Sequence, residues 1–227
     1  MYSLSAQQWD WWPLAINDTA QGRDTIQYHA YVSALASSGM NAPFLFRANQ
    51  HGNISYAPYS GNIGAGIMKS ASSPTRWWDY DFGVQLTGRF GKNDITGYAE
   101  QLYAHVRLYV IDVTAGIRPI VHGSQFNTLS MGGLLFSGNA HPIPRITIGI
   151  DDYISFPGLF GYLEIKGGLT YAWMNDHSEV QKTKLHHKFI GLRLGGRLPV
   201  TLAYEMHHAA QWGGYSYTVF YWADSDK

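Results

Sequence analysis

Two pairs of adjacent histidines are the residues best suited to bind a metal ion. His186-His187 and His207-His208 lie on segments joined by a glycine-containing turn, so the segments are expected to be neighbouring strands. Adjacent residues of a strand point to opposite faces, so one imidazole of each pair at most reaches a common face. Zinc needs further ligands, and Glu205 is the only carboxylate nearby. We therefore expect ordinary hydrogen-bonded histidines, no metal site and no other cofactor.

Carboxylates that could serve catalysis occur in two places. Asp79 and Asp81 flank Tyr80, and Asp151-Asp152 follows an apolar alternating segment. A glycosidase needs two carboxyl groups held a defined distance apart, which spacing along a strand does not provide. The sequence contains no GxSxG, Walker or HExxH motif. We expect no catalytic residues and no enzymatic activity.

Aromatic and amide side chains occur together near the C-terminal end of the sequence. Gln211 and Trp212 follow His208 and precede two glycines. Sugars offer C–H faces that stack on indole and hydroxyls that bond to amide and imidazole groups, so these three residues are candidates for carbohydrate binding. The alternative is that Trp212 belongs to a membrane-interface girdle and that the glycines form a turn.

Apolar and polar residues alternate along most of the chain, which is the pattern of strands with two different faces. The alternating segments are 25–34, 79–86, 101–110, 111–118, 146–150, 163–171, 190–194 and 198–206. Short turns at 91–94 and 195–199 contrast with long polar loops at 121–144 and 175–184. Helical spacing is confined to Trp9–Ala15. The pattern predicts a meander of antiparallel strands.

These strands favour an antiparallel transmembrane β-barrel of the outer-membrane type. Several segments reach the ~9–11 residues that cross a bilayer at a tilt. Their polar faces mix arginine, glutamate, tyrosine and histidine, as a wet lumen does, and tryptophans such as Trp78, Trp173 and Trp212 lie near strand ends. We expect the barrel to occupy residues 25–227 and a Trp-rich periplasmic or plug-like segment to occupy residues 1–24. A soluble β-sandwich is the competing fold, because its strands alternate as well.

The composition narrows the location and the partners. Charged residues make up 14% of the 227 residues, against about 25% in soluble domains. The formal net charge is zero, from 16 basic and 16 acidic residues, so nucleic acid is not an expected partner. Cysteine is absent, and the first residues lack the features of a signal peptide. We expect an outer-membrane protein whose signal peptide has been removed.

The strand count leaves the barrel incomplete. We count about nine strands, whereas bacterial barrels of this type have even numbers. Unpaired strand edges inside hydrocarbon cost several kcal/mol per group. We therefore expect additional strands to complete the barrel.

A polar loop containing two prolines leads into one of the strands. Its sequence is SGNAHPIPR, residues 137–145. Each proline fixes its own φ and restricts the preceding residue, so the loop should be stiff. Such a loop is expected to present Asn139, His141 and Arg145 to a sugar or to neighbouring loops.

Four motifs in one order resemble the capsule assembly proteins of the Wzi family. They are SGNAHPIPRITIGIDDY (137–153), GYLEIKG (161–167), LHHKFIGLRLGGRLPV (185–200) and HHAAQWGG (207–214). APFLFRANQHG (42–52) resembles an early segment of that family. The resemblance covers residues 43–214 and is weaker over the first forty residues.

The resemblance implies a Gram-negative outer-membrane barrel of about eighteen strands that retains capsular or surface polysaccharide in the manner of a lectin. This chain would be its N-terminal half, and its partners would be the polysaccharide, outer-membrane lipid and lipopolysaccharide, and the missing C-terminal half. His141 stands where the family is expected to have arginine. A neutral imidazole there would weaken a contact with an acidic sugar.

Two other functions remain open from the sequence. A porin-like or transport channel would use the same polar faces to line water, and ion conductance in planar bilayers would separate it from a lectin. A soluble carbohydrate-binding sandwich would dissolve without detergent.

Overall fold

The computed structural model describes residues 26–69, 77–91, 95–119, 135–136, 138–174, 180–195 and 198–216. They contain one short helix, α1 (Phe44–Arg47), and nine strands. The strands are β1 (Ile26–Ala36), β2 (Tyr59–Lys69), β3 (Trp78–Gly91), β4 (Ile95–Leu108), β5 (Ile111–Ile117), β6 (Pro144–Ser155), β7 (Leu163–Met174), β8 (Val180–Leu194) and β9 (Leu202–Ser216). Segments 1–24 and Trp9–Ala15 lie outside the described residues.

The strands form one antiparallel sheet in chain order. The expectation of an all-β chain with about nine antiparallel strands is thereby confirmed. Contacts divide the chain into two compact units. The first comprises Met1–Val106 and Ile117–Pro142, and the second comprises Arg107–Gly116 and Ile143–Lys227. No described helix has the length and apolar character needed to span a membrane.

In the first unit the buried face of the sheet is polar and the exposed face is apolar. Leu86 is 58% exposed, whereas its neighbours Gln85 and Thr87 are 0% and 3% exposed. The same alternation places Val32 of β1 and Ile63 of β2 on the exposed face. A soluble sheet buries its apolar face, because the hydrophobic effect favours removal of that face from water. The first unit has the opposite arrangement.

The second unit repeats this inversion. Leu169 is 49% exposed beside Thr170 at 2%, and Ile148 and Ile190 are also exposed. The buried face carries polar groups and a few apolar ones, of which Phe189 is the largest. We call the exposed apolar face outward and the buried polar face inward.

The strand pattern of the sequence differs from the structure in several places, and it wrongly included 198–201 in a strand that begins only at Leu202. It missed β2, whose glycines obscure the alternation. It placed 180–184 in a loop, although β8 begins at Val180 and pairs with β9 from there. It offered Gly213-Gly214 as a turn, but β9 runs through both glycines to Ser216. Their φ angles of 72° and 90° accommodate an irregularity opposite Lys182.

Glycine in β2 lets aromatic side chains cross the inward face. Tyr31 is paired with Gly64, which is paired in turn with Thr87. A Cβ on Gly64 would lie 2.3 Å from the Tyr31 ring. Because that position has no side chain, the Tyr31 hydroxyl lies 2.9 Å from Thr87 Oγ1, two strands away.

Gly64→Ala should destabilise the chain by about 1–3 kcal/mol, because the added methyl group displaces Tyr31. Urea titration followed by tryptophan fluorescence measures the effect. Gly97→Ala is the matched control, because a Cβ at Gly97 meets no atom within 4 Å. Equal stability of the two variants would contradict the crossing role of Tyr31.

Candidate functional site

A fully buried carboxylate organises the inward face of the first unit. Glu100 is 0% exposed. Its Oε2 accepts hydrogen bonds from Gln85 Nε2 (2.6 Å), Thr87 Oγ1 (2.5 Å) and the Tyr31 hydroxyl (3.0 Å), and its Oε1 accepts one from Asn53 Nδ2. All four donors are neutral. A buried carboxylate must be bonded in this way, because each unmet hydrogen bond costs about 1–3 kcal/mol.

The sequence reasoning missed Glu100 because the alternation of inward and outward residues along β4 shifts by one position beside it. Glu100 and Gln101 are both buried, while Ala99 is half-buried and Leu102 is exposed. Two consecutive inward residues are the mark of a β-bulge, which shifts the period by one residue. The apolar positions are odd-numbered before Glu100 and even-numbered after Gln101. That change of parity was the signal available in the sequence.

Asn53 ties the segment between β1 and β2 to this carboxylate. Its side chain is buried, donates to Glu100 and accepts a hydrogen bond of 3.1 Å from the Tyr98 hydroxyl. Beside it, Arg89 Nη1 donates to the carbonyl oxygen of Gly52 at 3.2 Å. The loop 37–58 is therefore held at Gly52 and Asn53 by side chains of the sheet.

The SGNAHPIPR loop packs on the same segment. The backbone N–H of His51 donates to the carbonyl of Gly138 at 2.7 Å, and that of Asn49 donates to Asn139 Oδ1 at 2.8 Å. The His141 and Tyr98 rings meet edge-on at 4.5 Å. Residues 37–58 and 138–141 together form what we call the loop cluster. Of the two expected roles for Asn139 and His141, the structure shows contact with a neighbouring loop.

Close approach at Gly52 fixes His141 in position. Gly52 has φ of 75°, and a Cβ there would lie 3.2 Å from both the ring and the backbone nitrogen of His141. Partial desolvation of the ring, which packs on Gly52 and Tyr98, lowers the pKa of His141, and the charge of Arg89 lowers it further. Burial and His141 also lower the pKa of His51 to about 4. Both imidazoles are therefore neutral at pH 7, although His141 and Asn139 remain exposed to solvent.

The inward face of the second unit carries its own polar network. Lys166 Nζ reaches across Gly191 to Glu205 Oε1 at 2.5 Å, and Tyr153 donates to the same oxygen at 3.0 Å. His207 Nε2 lies 3.5 Å from Glu205 Oε2, and His207 Nδ1 lies 3.1 Å from His187 Nε2. Glu164 and Arg193 form a further pair. Opposite charges on different strands of this face thus neutralise one another.

Strand alternation separates the other sequence candidates. Arg145 is buried on the inward face of β6. Gln211 has the inward parity of Glu205 and His207, whereas His208 and Trp212 have the outward parity of Met206. Gln211 and Trp212 therefore cannot act on one sugar from the same face. Trp212 instead contacts Tyr171 on the outward face, at 6.0 Å between ring centroids.

Two of the four aspartates considered for catalysis, Asp81 and Asp152, lie within ion-pair distance of basic side chains. Asp81 lies 2.5 Å from His105 Nδ1 and 3.6 Å from Arg118 Nη1. Asp152 lies 3.0 Å from Arg107 Nη2. These contacts give each carboxylate a structural role on its strand.

Glu100→Gln should lower the free energy of unfolding by about 1–3 kcal/mol, because the new NH₂ group must face a donor whichever way the amide turns. Urea titration gives the value. Asp152→Asn is the control: its exposed pair with Arg107 is worth less than about 1 kcal/mol. A neutral effect of Glu100→Gln would show that the carboxylate does not organise the face.

Acid should weaken the chain through His51. Its folded pKa of about 4 lies below the ordinary value of 6.5, so the unfolded chain binds more protons between these values. The contribution is complete above pH 6.5 and is lost as the pH falls toward 4. The first pH unit below 6.5 removes about 1 kcal/mol of the free energy of unfolding. Unfolding titrations at pH 7.5 and 5.5 should therefore show a smaller loss for His51→Gln than for the unmodified chain. Equal losses would contradict the assignment.

The comparisons with known proteins leave the family of this chain open. No family model matches it, and no curated protein or solved structure matches it either. Its function must be argued from its own residues and geometry.

Proposed function

We propose that this chain is part of an outer-membrane β-barrel that holds capsular or surface polysaccharide at the cell, in the manner of a lectin. The observation that carries the proposal is the inverted sheet. Apolar side chains such as Leu86 and Leu169 point outward, and hydrogen-bonded polar groups fill the inward face. Water disfavours this arrangement, whereas hydrocarbon stabilises it.

On the outward face of β3, aromatic residues lie at both ends of the strand. Trp78 and Tyr80 stack at 6.0 Å near the start of β3, and Phe90 lies at its end. The ten residue steps from Tyr80 to Phe90 rise about 33 Å along the strand. At a tilt of about 40° this spans about 25 Å, the height of the apolar band of outer-membrane barrels.

The proposal requires strands beyond those described. Within the described residues, β1 and β9 each have a neighbour on one side only. Since unpaired backbone groups are costly in hydrocarbon, the barrel must be completed by other strands. The resemblance to the Wzi family, whose barrels have about eighteen strands, supports a longer chain as their source.

The loop cluster is the proposed surface for polysaccharide. It exposes Asn139 and His141, which are separated in the sequence by Ala140 alone. Tyr56 is 70% exposed, and the Arg47 guanidinium lies 3.4 Å from its ring centroid. An aromatic ring with hydrogen-bonding groups nearby matches the C–H faces and hydroxyls of a sugar. The hydrogen bonds to the 138–141 segment hold these groups in a fixed arrangement.

The location can be tested on isolated outer membranes. We expect the protein there to change its gel mobility on heating, because a closed barrel resists detergent until it is heated. The intact mass of the same sample shows whether the strands belong to a longer chain. Recovery of the protein without membranes or detergent would contradict the proposal and support a soluble sandwich.

Tyr56→Ala and His141→Ala should reduce the polysaccharide retained on cells. Loss of a stacking contact of about 1 kcal/mol corresponds to binding about fivefold weaker. Tyr109→Ala is the matched control, because Tyr109 is a similarly exposed turn residue in the other unit. Heat-shifted mobility verifies that each variant assembles. Unchanged retention in both loop-cluster variants would exclude this surface.

A further inference from the structure

The outward face of β8 and β9 changes from apolar to basic along its length. Toward one end, Ile190, Leu192 and Leu194 are exposed on β8. Toward the other end of β8, the residues on the same face are Lys188, His186 and Lys184. The register places His208 opposite Lys188 and Trp212 opposite Lys184. We call Lys184, His186, Lys188 and His208 the basic patch.

Among the described residues of β7, β8 and β9, no carboxylate lies on the same face as the basic patch. In the described parts of β7, β8 and β9, the only carboxylates are Glu164 and Glu205, and both are on the inward face. Lys188 and His208 are exposed, and residues opposite each other on antiparallel strands lie about 5 Å apart. An anion placed between these two side chains would be within reach of both.

Aromatic rings flank the basic end of this face. Lys184 Nζ lies 4.8 Å from the Trp212 ring centroid, and Tyr171 contacts both Trp212 and Trp173. Tryptophan and tyrosine are enriched at the headgroup level of membranes, where lysine also meets lipid phosphate. The aromatic rings thus mark the basic patch as the headgroup end of the face.

We propose that the basic patch binds the phosphate headgroup of an anionic lipid, whose acyl chains lie along Ile190, Leu192 and Leu194. The inference rests on the proposed membrane function. The occupant must be amphiphilic, because a row that contains the cations Lys184 and Lys188 continues directly into a row of exposed apolar side chains. An acidic polysaccharide would match the cations and leave the apolar row uncovered. The charge and the apolar row together favour lipid.

Competition between lipids tests this assignment. The chain is reconstituted in phosphatidylcholine vesicles, and brominated phosphatidic acid is compared with brominated phosphatidylcholine as a quencher of tryptophan fluorescence. We expect a preference for phosphatidic acid that high salt reduces. Lys188→Gln should lower the preference about fivefold, and Lys184→Gln with Lys188→Gln should abolish it.

Arg193→Gln is the matched control, because it removes one cation from the inward face of the same strand, where Arg193 pairs with Glu164, and it should leave the preference unchanged. Insertion without any preference, or a preference that survives in the double variant, overturns the lipid site and leaves the membrane function standing. A soluble acidic polysaccharide that removes the preference overturns it too. Failure of the chain to insert overturns both proposals, so the two failures are distinguishable.

Discussion

The buried carboxylate of Glu100 imposes the strongest constraint on the first unit. A charged oxygen pair away from water requires donors on every side, and its four donors come from three segments: Tyr31 on β1, Asn53 in the segment between β1 and β2, and Gln85 and Thr87 on β3. Tyr31 reaches it only because Gly64 has no side chain. Asn53 belongs to the loop cluster, so its hydrogen bond to Glu100 ties that cluster to the sheet. The order of the loop therefore depends on a charge buried in the sheet.

In the second unit, charged groups on the inward face are paired with groups of opposite charge. Lys166 and Glu205 meet across Gly191, as Tyr31 and Glu100 meet across Gly64. In both units a glycine on an intermediate strand allows long side chains to join strands that are not neighbours. Polar groups on the inward face are thus satisfied mainly by one another. In the described parts of β7, β8 and β9, this arrangement places both carboxylates, Glu164 and Glu205, on the inward face.

The segment 138–141 of the loop cluster is fixed by its neighbours and still exposes polar groups. Gly138 and Asn139 accept backbone hydrogen bonds from the neighbouring loop, and His141 packs on Tyr98. These contacts use one side of the segment and leave the other side exposed to solvent. Fixing exposed polar groups before a ligand arrives lowers the entropy cost of binding. A stiff, proline-containing segment suits that purpose.

The sequence by itself determined the class of the fold and the face on which most strand residues lie. Alternation with period two depends only on backbone geometry, so it correctly separated His187 from His186 and His207 from His208. It failed where the period is interrupted, at the glycines of β2 and at the paired burial of Glu100 and Gln101. Only the tertiary structure decided that Glu100 meets Asn53, and that His141 meets Tyr98. Those contacts join residues far apart in the chain, and they depend on strand register and on the space that glycine leaves.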